Sequence, residues 1–153
     1  MKIGIDLGGS HIAVGAINDE AKIIAKEEEN ILLINKEQEV TKELIRDKIL
    51  SLINSLKQKL QMPAFIIDEI GIGVPGIVEN NIIKKCEKYG IYNWDLAKEL
   101  RECYKINVKL SNDAIACAKA EVCLREYERY FKVSFYEFGY RNRWSICHFR
   151  NRI

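Results

Sequence analysis

A glycine turn close to the start of the chain constrains the fold most. Two short apolar segments, residues 2–6 and 12–17, flank the turn, whose sequence is DLGGS at residues 6–10. Apolar segments joined by a tight Gly-Gly turn are typical of a β-hairpin. A polar turn at residues 18–20 leads to a third such segment at residues 21–25. We therefore expect an antiparallel meander of three strands.

The remaining chain predicts helices that alternate with strands. A 3.6-residue apolar stripe predicts a long helix, and short apolar runs bounded by polar or breaking residues predict strands. We expect Asn93 to cap the second helix, and the sequence SND at residues 111–113 to open the third. Together with the meander, this order indicates an α/β layered domain. The expected elements are a helix at 37–60 ended by Pro63, a strand at 66–74 broken by Pro75-Gly76, a helix at 94–104, a strand at 107–110 and a helix at 114–130.

The composition excludes several classes of protein. The chain has 153 residues, of which 48% are hydrophobic and 30% charged, with a net charge of +2. This favours one folded domain over a disordered, collagenous or highly basic nucleic-acid-binding chain. No apolar run approaches the roughly 20 residues that span a bilayer, and the N-terminus lacks the long apolar core of a signal peptide. The five cysteines form no C-x-x-C pair, so we expect a cytoplasmic protein without a membrane partner.

The last part of the chain differs in character from the rest. Residues 125–153 carry seven basic and three acidic side chains and many of the aromatic ones. We therefore divide the chain into a first domain, residues 1–124, and a basic, aromatic tail, residues 125–153. The tail's charge favours a solvated terminus over a nucleic-acid interface.

The turn at residues 6–10 has the residue types of a phosphate site. Gly8 and Gly9 lack Cβ atoms, which lets backbone N–H groups approach a phosphate, and Ser10 can add a hydroxyl. Asp6, at the end of a strand, can hold a magnesium ion or its water shell. The alternative is an ordinary hairpin turn, which the residues alone favour slightly.

Three further motifs each have a functional and a structural interpretation. The sequence GIGVPGIV at residues 71–78 would let a ligand, or only a packed helix, approach one face of a strand. Asn93 and Trp94 suit a sugar, but equally a helix cap and a core anchor. Asn112 could bond a polyol and Asp113 could take a hydroxyl proton, but both also suit the start of a helix.

Taken in order, the four motifs resemble those of the ROK family (repressor, open reading frame, kinase). This family contains glucokinase-like sugar kinases and related repressors. The resemblance covers residues 1–124 and implies an actin-like ATPase (ribonuclease H-like) lobe, with a mixed sheet, an antiparallel N-terminal meander and flanking helices. It also implies that Asp6, Gly8, Gly9 and Ser10 form the first phosphate motif for ATP and Mg²⁺.

The resemblance implies a sugar site as well. Gly76 would contact the sugar through its backbone, and Asn93 and Asn112 would bind hydroxyls. Asp113 would be the catalytic base for the hexose 6-hydroxyl and would also bind the sugar. The sequence departs from the family at Ile115, where a second asparagine is usual, so one sugar contact is in doubt.

Much of what the family pattern contains is missing from these residues. Family members are about twice as long, and their second lobe carries a glycine-rich LGTGIGG motif, a zinc cluster and the adenosine pocket. Cys147-His148 does not match the zinc pattern. We therefore expect a truncated sugar kinase that is inactive alone, and the exposed half-interface would favour a homo-oligomer. The alternatives are a non-catalytic sugar-binding regulator and an unrelated α/β interaction module.

The tail itself offers an explanation for the missing lobe. Residues 138–144, FGYRNRW, can be encoded by codons that read LGTGIGG after one base is skipped. We therefore expect the tail to be an out-of-frame reading of the start of the second lobe, shifted between residues 124 and 138.

Overall fold

The computed structural model describes residues 1–20, 22–31, 40–61 and 67–125. Residues 1–113 form one compact unit, and a second unit begins at Ala114. The elements are β1 (Lys2–Leu7), β2 (His11–Ile17), β3 (Ile23–Asn30), α1 (Lys42–Leu60), β4 (Glu69–Val74), β5 (Ile77–Glu79), β6 (Ile82–Cys86), a 3-10 turn (Glu87–Tyr89), β7 (Ile91–Trp94), α2 (Leu96–Tyr104), β8 (Asn107–Asn112) and α3 (Asp113–Arg125). No helix in these ranges is long and apolar enough to cross a membrane.

A five-stranded sheet in the order β3-β2-β1-β4-β8 is the centre of the first unit. β1 pairs antiparallel with β2, and β2 with β3, which confirms the expected meander. β1 pairs parallel with β4, and β4 with β8. The carboxyl ends of β1, β4 and β8 therefore meet at one edge of the sheet, the edge at which open α/β sheets usually bind ligands.

The core lies between this sheet and α1. Alternate residues of β1, Ile3, Ile5 and Leu7, are buried on one face, as the period of two in a strand requires. The buried stripe of α1, including Ile49 and Ile53, packs over β2 and β3. Because Asp6 alternates with this buried set, its side chain lies on the opposite, exposed face.

The long helix was predicted at residues 37–60, and its start was placed too early. α1 begins at Lys42, because Thr41 is extended and its hydroxyl accepts a hydrogen bond from the Leu44 N–H at 3.2 Å. That is the geometry of an N-cap, which lies outside the helix proper. The end at Leu60 is confirmed. Residues 37–39 and Pro63 lie outside the described residues.

The predicted helix at residues 94–104 was also started too early. Asn93 is not its cap: both Asn93 and Trp94 lie in β7. Asp95 is the cap, and its carboxylate accepts a hydrogen bond from the Lys98 N–H at 2.9 Å. The expected role of Trp94 as a core anchor is confirmed, because its side chain is buried and its indole N–H donates to Glu99 at 2.9 Å.

Other predicted boundaries shift by a few residues. The third strand of the meander was predicted at 21–25, and β3 runs from Ile23 to Asn30. The strand predicted at 66–74 begins at Glu69, and the strand predicted at 107–110 extends to Asn112. Ser111 and Asn112 therefore complete a strand, and α3 starts at Asp113. The predicted end of this helix at residue 130 lies outside the described residues.

A second, three-stranded antiparallel sheet was not predicted. It has the order β5-β6-β7 and occupies the chain between β4 and α2. Asn80 and Asn81 turn the chain between β5 and β6 with φ angles of 50° and 64°. Positive φ at both central residues is the conformation of a type I′ hairpin, in which asparagine is common. The side chain of Asn81 also bonds to β8, donating to Val108 O at 2.8 Å and accepting from Leu110 N–H at 2.6 Å.

Candidate functional site

The carboxyl edge of the large sheet brings Asp6 and Asp113 to the same side of the molecule. In the parallel register Asp6 is paired with Gly73, and Gly73 with Ser111. A Cβ atom added to Gly73 would lie 3.5 Å from the Asp113 Cα and 3.9 Å from the Ile5 carbonyl oxygen. Asp113 therefore lies over Gly73, one strand away from β1, in a place that a side chain at residue 73 would crowd.

The glycine turn links β1 to β2 at this edge. The Gly8 N–H donates to the His11 carbonyl at 2.9 Å, and the Ile31 N–H donates to the Ser10 carbonyl at 2.8 Å. Gly8 is buried, whereas Gly9 is exposed. The hairpin interpretation of this turn is confirmed, and the phosphate interpretation stays a prediction beside it.

His11 is a member of this cluster that the sequence analysis did not single out. A Cβ atom added to Gly8 would lie only 2.6 Å from the imidazole Cε1, so the ring packs directly on the Gly8 backbone. The imidazole Nε2 lies 3.5 Å from the Asp6 carboxylate. The absence of a side chain at residue 8 therefore makes room for a histidine beside Asp6.

The 3-10 turn that follows β6, the middle strand of the three-stranded (small) sheet, contacts the glycine turn. The Tyr89 hydroxyl donates a hydrogen bond to the Gly8 carbonyl. The Lys88 Cε lies 3.6 Å from the position of a Cβ atom on Gly9. Burial, followed by the charges of Cys86 and Asp6, raises the pKa of Tyr89. The phenol therefore remains protonated and a donor at neutral pH.

Two hydrogen bonds and one close approach between backbone segments hold the loop after β4. The Asn112 side-chain N–H donates to the Gly76 carbonyl at 3.0 Å, and the Cys86 thiol donates to the Pro75 carbonyl at 3.3 Å. A Cβ atom on Gly76 would collide with the Lys85 carbonyl oxygen. The glycine is therefore required by the close approach of two backbone segments, and its sugar contact stays a prediction.

Cys86 ends β6 and holds this loop through its thiol. Burial, and to a lesser extent the charge of Asp113, raises the pKa of the Cys86 thiol. The thiol is therefore neutral at physiological pH. The turn that follows Cys86 contacts Gly8 and Gly9.

Asn93, another predicted hydroxyl ligand, lies on β7, outside the large sheet. Its side chain is exposed and its φ is 46°. Ile115 is 51% exposed in α3, at the position where the family pattern has an asparagine.

The site residues that sequence reasoning missed come mainly from the small sheet. Lys88 and Tyr89 precede Gly90, whose φ of 62° closes the 3-10 turn. The sequence signal was a turn glycine, but no local pattern indicates that residue 88 meets residue 9. His11 was adjacent to the predicted motif and could have been included on that ground.

The described side chains offer a limited set of metal ligands. In the part of the chain that the structure covers, no three His, Cys, Asp or Glu side chains are grouped to hold a metal ion. Asp6 provides one exposed carboxylate at the glycine turn. Magnesium is commonly bound by one or two carboxylates together with substrate phosphates, so this donor fits Mg²⁺ only in company with a nucleotide. Cys147 and His148 lie outside the described residues.

Comparison with known proteins decides the family. The sequence profile of the ROK family matches residues 2–139. The chain belongs to the ROK family. The match extends beyond residue 124, to which the motif resemblance had been limited, and the expected α/β lobe of the actin-like ATPase type is confirmed.

The relatives of this ROK chain are much longer than the chain. It is 30% identical over 122 residues to a glucokinase of Thermotoga maritima. The aligned part is 78% of this chain and 35% of the glucokinase. A ROK glucokinase of Streptomyces griseus, solved with glucose and AMPPNP, superposes with a TM-score of 0.65 at 23% identity, over 79% of this chain and 36% of that one. A ROK transcriptional regulator homologous to the MLC protein of E. coli superposes with a TM-score of 0.73 at 19% identity, over 88% and 33%. The chain therefore spans about a third of the length of these relatives.

Proposed function

We propose that this ROK chain is the sugar-binding lobe of a hexose kinase, which holds a sugar hydroxyl beside the phosphoryl group that it will accept. The supporting observation is the shared edge of the sheet. Asp6 and the glycine turn end β1, and Asp113 begins α3 directly after β8, with Gly73 of β4 between them. An anion site and a carboxylate base are thus separated by one strand.

Asp113 is the proposed catalytic base. It begins α3 directly after β8, the strand that pairs with β4 at Gly73. The carboxylate would accept the proton of the hexose 6-hydroxyl as that oxygen attacks phosphorus. Catalysis of phosphoryl transfer depends mainly on positioning and charge stabilisation, so correct placement of the base is its main contribution.

The sugar would be bound around the β4–β5 loop. The Asn112 amide and the backbone of Gly76 are already hydrogen-bonded to each other, so their orientation is fixed before a ligand arrives. A site that is ordered in advance loses less conformational entropy on binding. Asn93 is the remaining proposed hydroxyl ligand, and it would contribute from β7.

The phosphate side of the site comes from the glycine turn. Gly9 and Ser10 would direct backbone N–H groups and a hydroxyl at the transferred phosphoryl group, while Gly8, whose N–H already donates to the His11 carbonyl, would shape the turn. Asp6 would hold Mg²⁺ together with the nucleotide, and the ion would neutralise charge on the phosphates. The glucokinase of Streptomyces griseus, solved with glucose and AMPPNP, supports hexose and ATP as the ligand classes.

Calorimetric titration with glucose, mannose and N-acetyl sugars tests this proposal. We expect the chain to bind a hexose, and Asp113→Asn to weaken that binding about tenfold through the loss of a charged hydrogen bond. Asp19→Asn, a matched change in an exposed turn, should leave the affinity unchanged. Absence of binding to every sugar, or equal affinity for Asp113→Asn and the wild type, would contradict the proposal.

Turnover tests the incompleteness of the site. With ATP and Mg²⁺, we expect no measurable glucose phosphate from these 153 residues, because the family's second phosphate motif and adenosine pocket are not among them. Robust phosphorylation by the purified chain would contradict this expectation.

We further propose a one-base shift between residues 124 and 138, after which the chain is an out-of-frame reading of the second lobe. The ROK profile matches as far as residue 139, which favours a shift near the end of that range. Resequencing the gene and weighing the intact protein test this directly. A gene with no glycine-rich loop in another frame would rule it out. A longer product that phosphorylates glucose would favour the kinase, and one that binds glucose without turnover would favour the regulator.

A further inference from the structure

The turn between β6 and β7 makes two contacts with the glycine turn that the proposed function does not use. Tyr89 donates its hydroxyl hydrogen to the Gly8 carbonyl, which fixes the orientation of that peptide group. Lys88, the preceding residue, places its Cε 3.6 Å from the position of a Cβ atom on Gly9. The side chain of Lys88, from the 3-10 turn, therefore lies against the proposed phosphate site.

The charge of Lys88 is not neutralised by a neighbour within the described ranges. Glu87, the adjacent acid, is paired with Lys85 at 2.5 Å. No described carboxylate lies within 4.0 Å of the Lys88 ammonium, whose side chain is exposed. A lysine beside a turn of backbone N–H groups is the arrangement that binds phosphate as a point charge.

We propose that Lys88 contacts the phosphoryl group transferred to the sugar, and that Tyr89 is the positioning residue that holds the glycine turn beneath it. This inference rests on the proposed function, because it names a further ligand at the same site. The ammonium would lie across the phosphoryl group from the Gly9 amide. Its positive charge would stabilise the phosphate of a hexose 6-phosphate, and it would contribute little to an uncharged hexose.

Titrations of the 153-residue chain with glucose and with glucose 6-phosphate test the role of Lys88. We expect Lys88→Met to weaken binding of glucose 6-phosphate about tenfold and to change glucose affinity less than about twofold. Lys88→Arg should restore most of the lost affinity. Lys98→Met, the same charge change on the exposed face of α2, should bind both ligands as the wild type does.

The outcomes separate this inference from the proposed function. Glucose binding with unaltered glucose 6-phosphate affinity in Lys88→Met overturns the inference and leaves the proposed function intact. The same holds if the wild type binds glucose but not glucose 6-phosphate. A wild-type chain that binds neither ligand overturns both.

A Tyr89→Phe variant tests the positioning role. Losing one hydroxyl should speed amide hydrogen exchange at Gly9 and Ser10 and weaken glucose 6-phosphate binding about threefold. Exchange in the β5–β6 hairpin should remain unchanged, because the aromatic ring is retained. Wild-type exchange rates at Gly9 and Ser10 would overturn the positioning role.

Discussion

The two sheets of the first unit contribute to the site in different ways. The five-stranded sheet supplies strand ends: Asp6 and the glycine turn follow β1, and Asp113 follows β8. The three-stranded sheet supplies contacts to the loops at those ends, because the Cys86 thiol donates to the Pro75 carbonyl and Tyr89, in the 3-10 turn after β6, donates to the Gly8 carbonyl. The large sheet thus sets the spacing of the proposed reacting groups, and the small sheet with its 3-10 turn holds the adjacent loops in place.

The two sheets nevertheless share one hydrophobic core. Ile83, Cys86, Ile91 and Trp94 from the small sheet belong to the same buried cluster as the inward residues of β1 and α1. A region with its own core could unfold by itself, whereas a shared core couples the two regions. We therefore expect the small sheet to unfold together with the large one.

The largest effects on stability should come from shortening buried side chains of this shared core, either in α1 or in the small sheet. Ile53 in α1 is completely buried and Ile83 in β6 is 1% exposed. We expect Ile53→Ala to lower the free energy of unfolding by about 4 kcal/mol, and Ile83→Ala by about 3 kcal/mol, from lost transfer energy and the cavity left behind. Urea titrations followed by circular dichroism and by tryptophan fluorescence should each show one transition. Separate transitions in Ile83→Ala would mean that the sheets are independent.

Two glycine substitutions compare the loop between the two sheets with a strand of the large sheet. Gly76→Ala would put a methyl group into the Lys85 carbonyl oxygen, so we expect a loss of about 3 kcal/mol. Gly71→Ala, in β4, meets no atom within 4 Å and should change the unfolding free energy by less than about 1 kcal/mol. Thermal denaturation of both variants measures the contrast. If the two variants have equal free energies of unfolding, the loop between β4 and β5 can open without affecting the small sheet.

The smallest expected effect is a pH dependence within the large sheet. Hydrogen bonding to Lys109, at 2.6 Å, lowers the pKa of Glu69. A lowered pKa stabilises the fold above the ordinary value of 4.5, and that stabilisation is lost as the pH falls through the lower folded value. Glu69→Gln should therefore be less stable than wild type by under about 1 kcal/mol at pH 7, and the difference should vanish in acid. Denaturant titrations of both proteins across this range would show it, and a difference that persists in acid would contradict it.

The sequence predicted the large sheet well because its elements carry strong local signals. The apolar segments of β1 and β2 on either side of the glycine turn, and the apolar stripe of α1, are local patterns that burial requires. The error at Asp95 concerns the cap, because Asn93, two positions earlier, is also a residue type that caps helices. The start of α1 was predicted five residues too early, at residue 37 instead of Lys42. Element type was therefore predictable, and the choice of capping residue was not.

The small sheet lacked such signals. β5 has only the three residues Ile77–Glu79, too few for a period to emerge. The placement of Lys88 and Tyr89 over the glycine turn depends on packing between residues about 80 positions apart, which no local pattern encodes. Asp6 was predicted at a strand end, and it lies in β1. Asn112 and Asp113 were predicted to open a helix, but Asn112 ends β8 and Asp113 begins α3. Asn93 was predicted as a helix cap and lies in a strand.

The amide of Asn81 has a consequence for how this chain meets copies of itself. By bonding to Val108 O and Leu110 N–H, it occupies backbone groups on the outer edge of β8 that an incoming strand would otherwise pair with. One polar side chain therefore discourages intermolecular sheet extension on that side. On the opposite edge, β3 carries the ion pair of Lys26 and Glu28 at 2.6 Å. An ion pair therefore protects the β3 edge of the sheet from pairing with another strand. The Asn81 amide protects the β8 edge, because it forms the hydrogen bonds that a neighbouring strand would form.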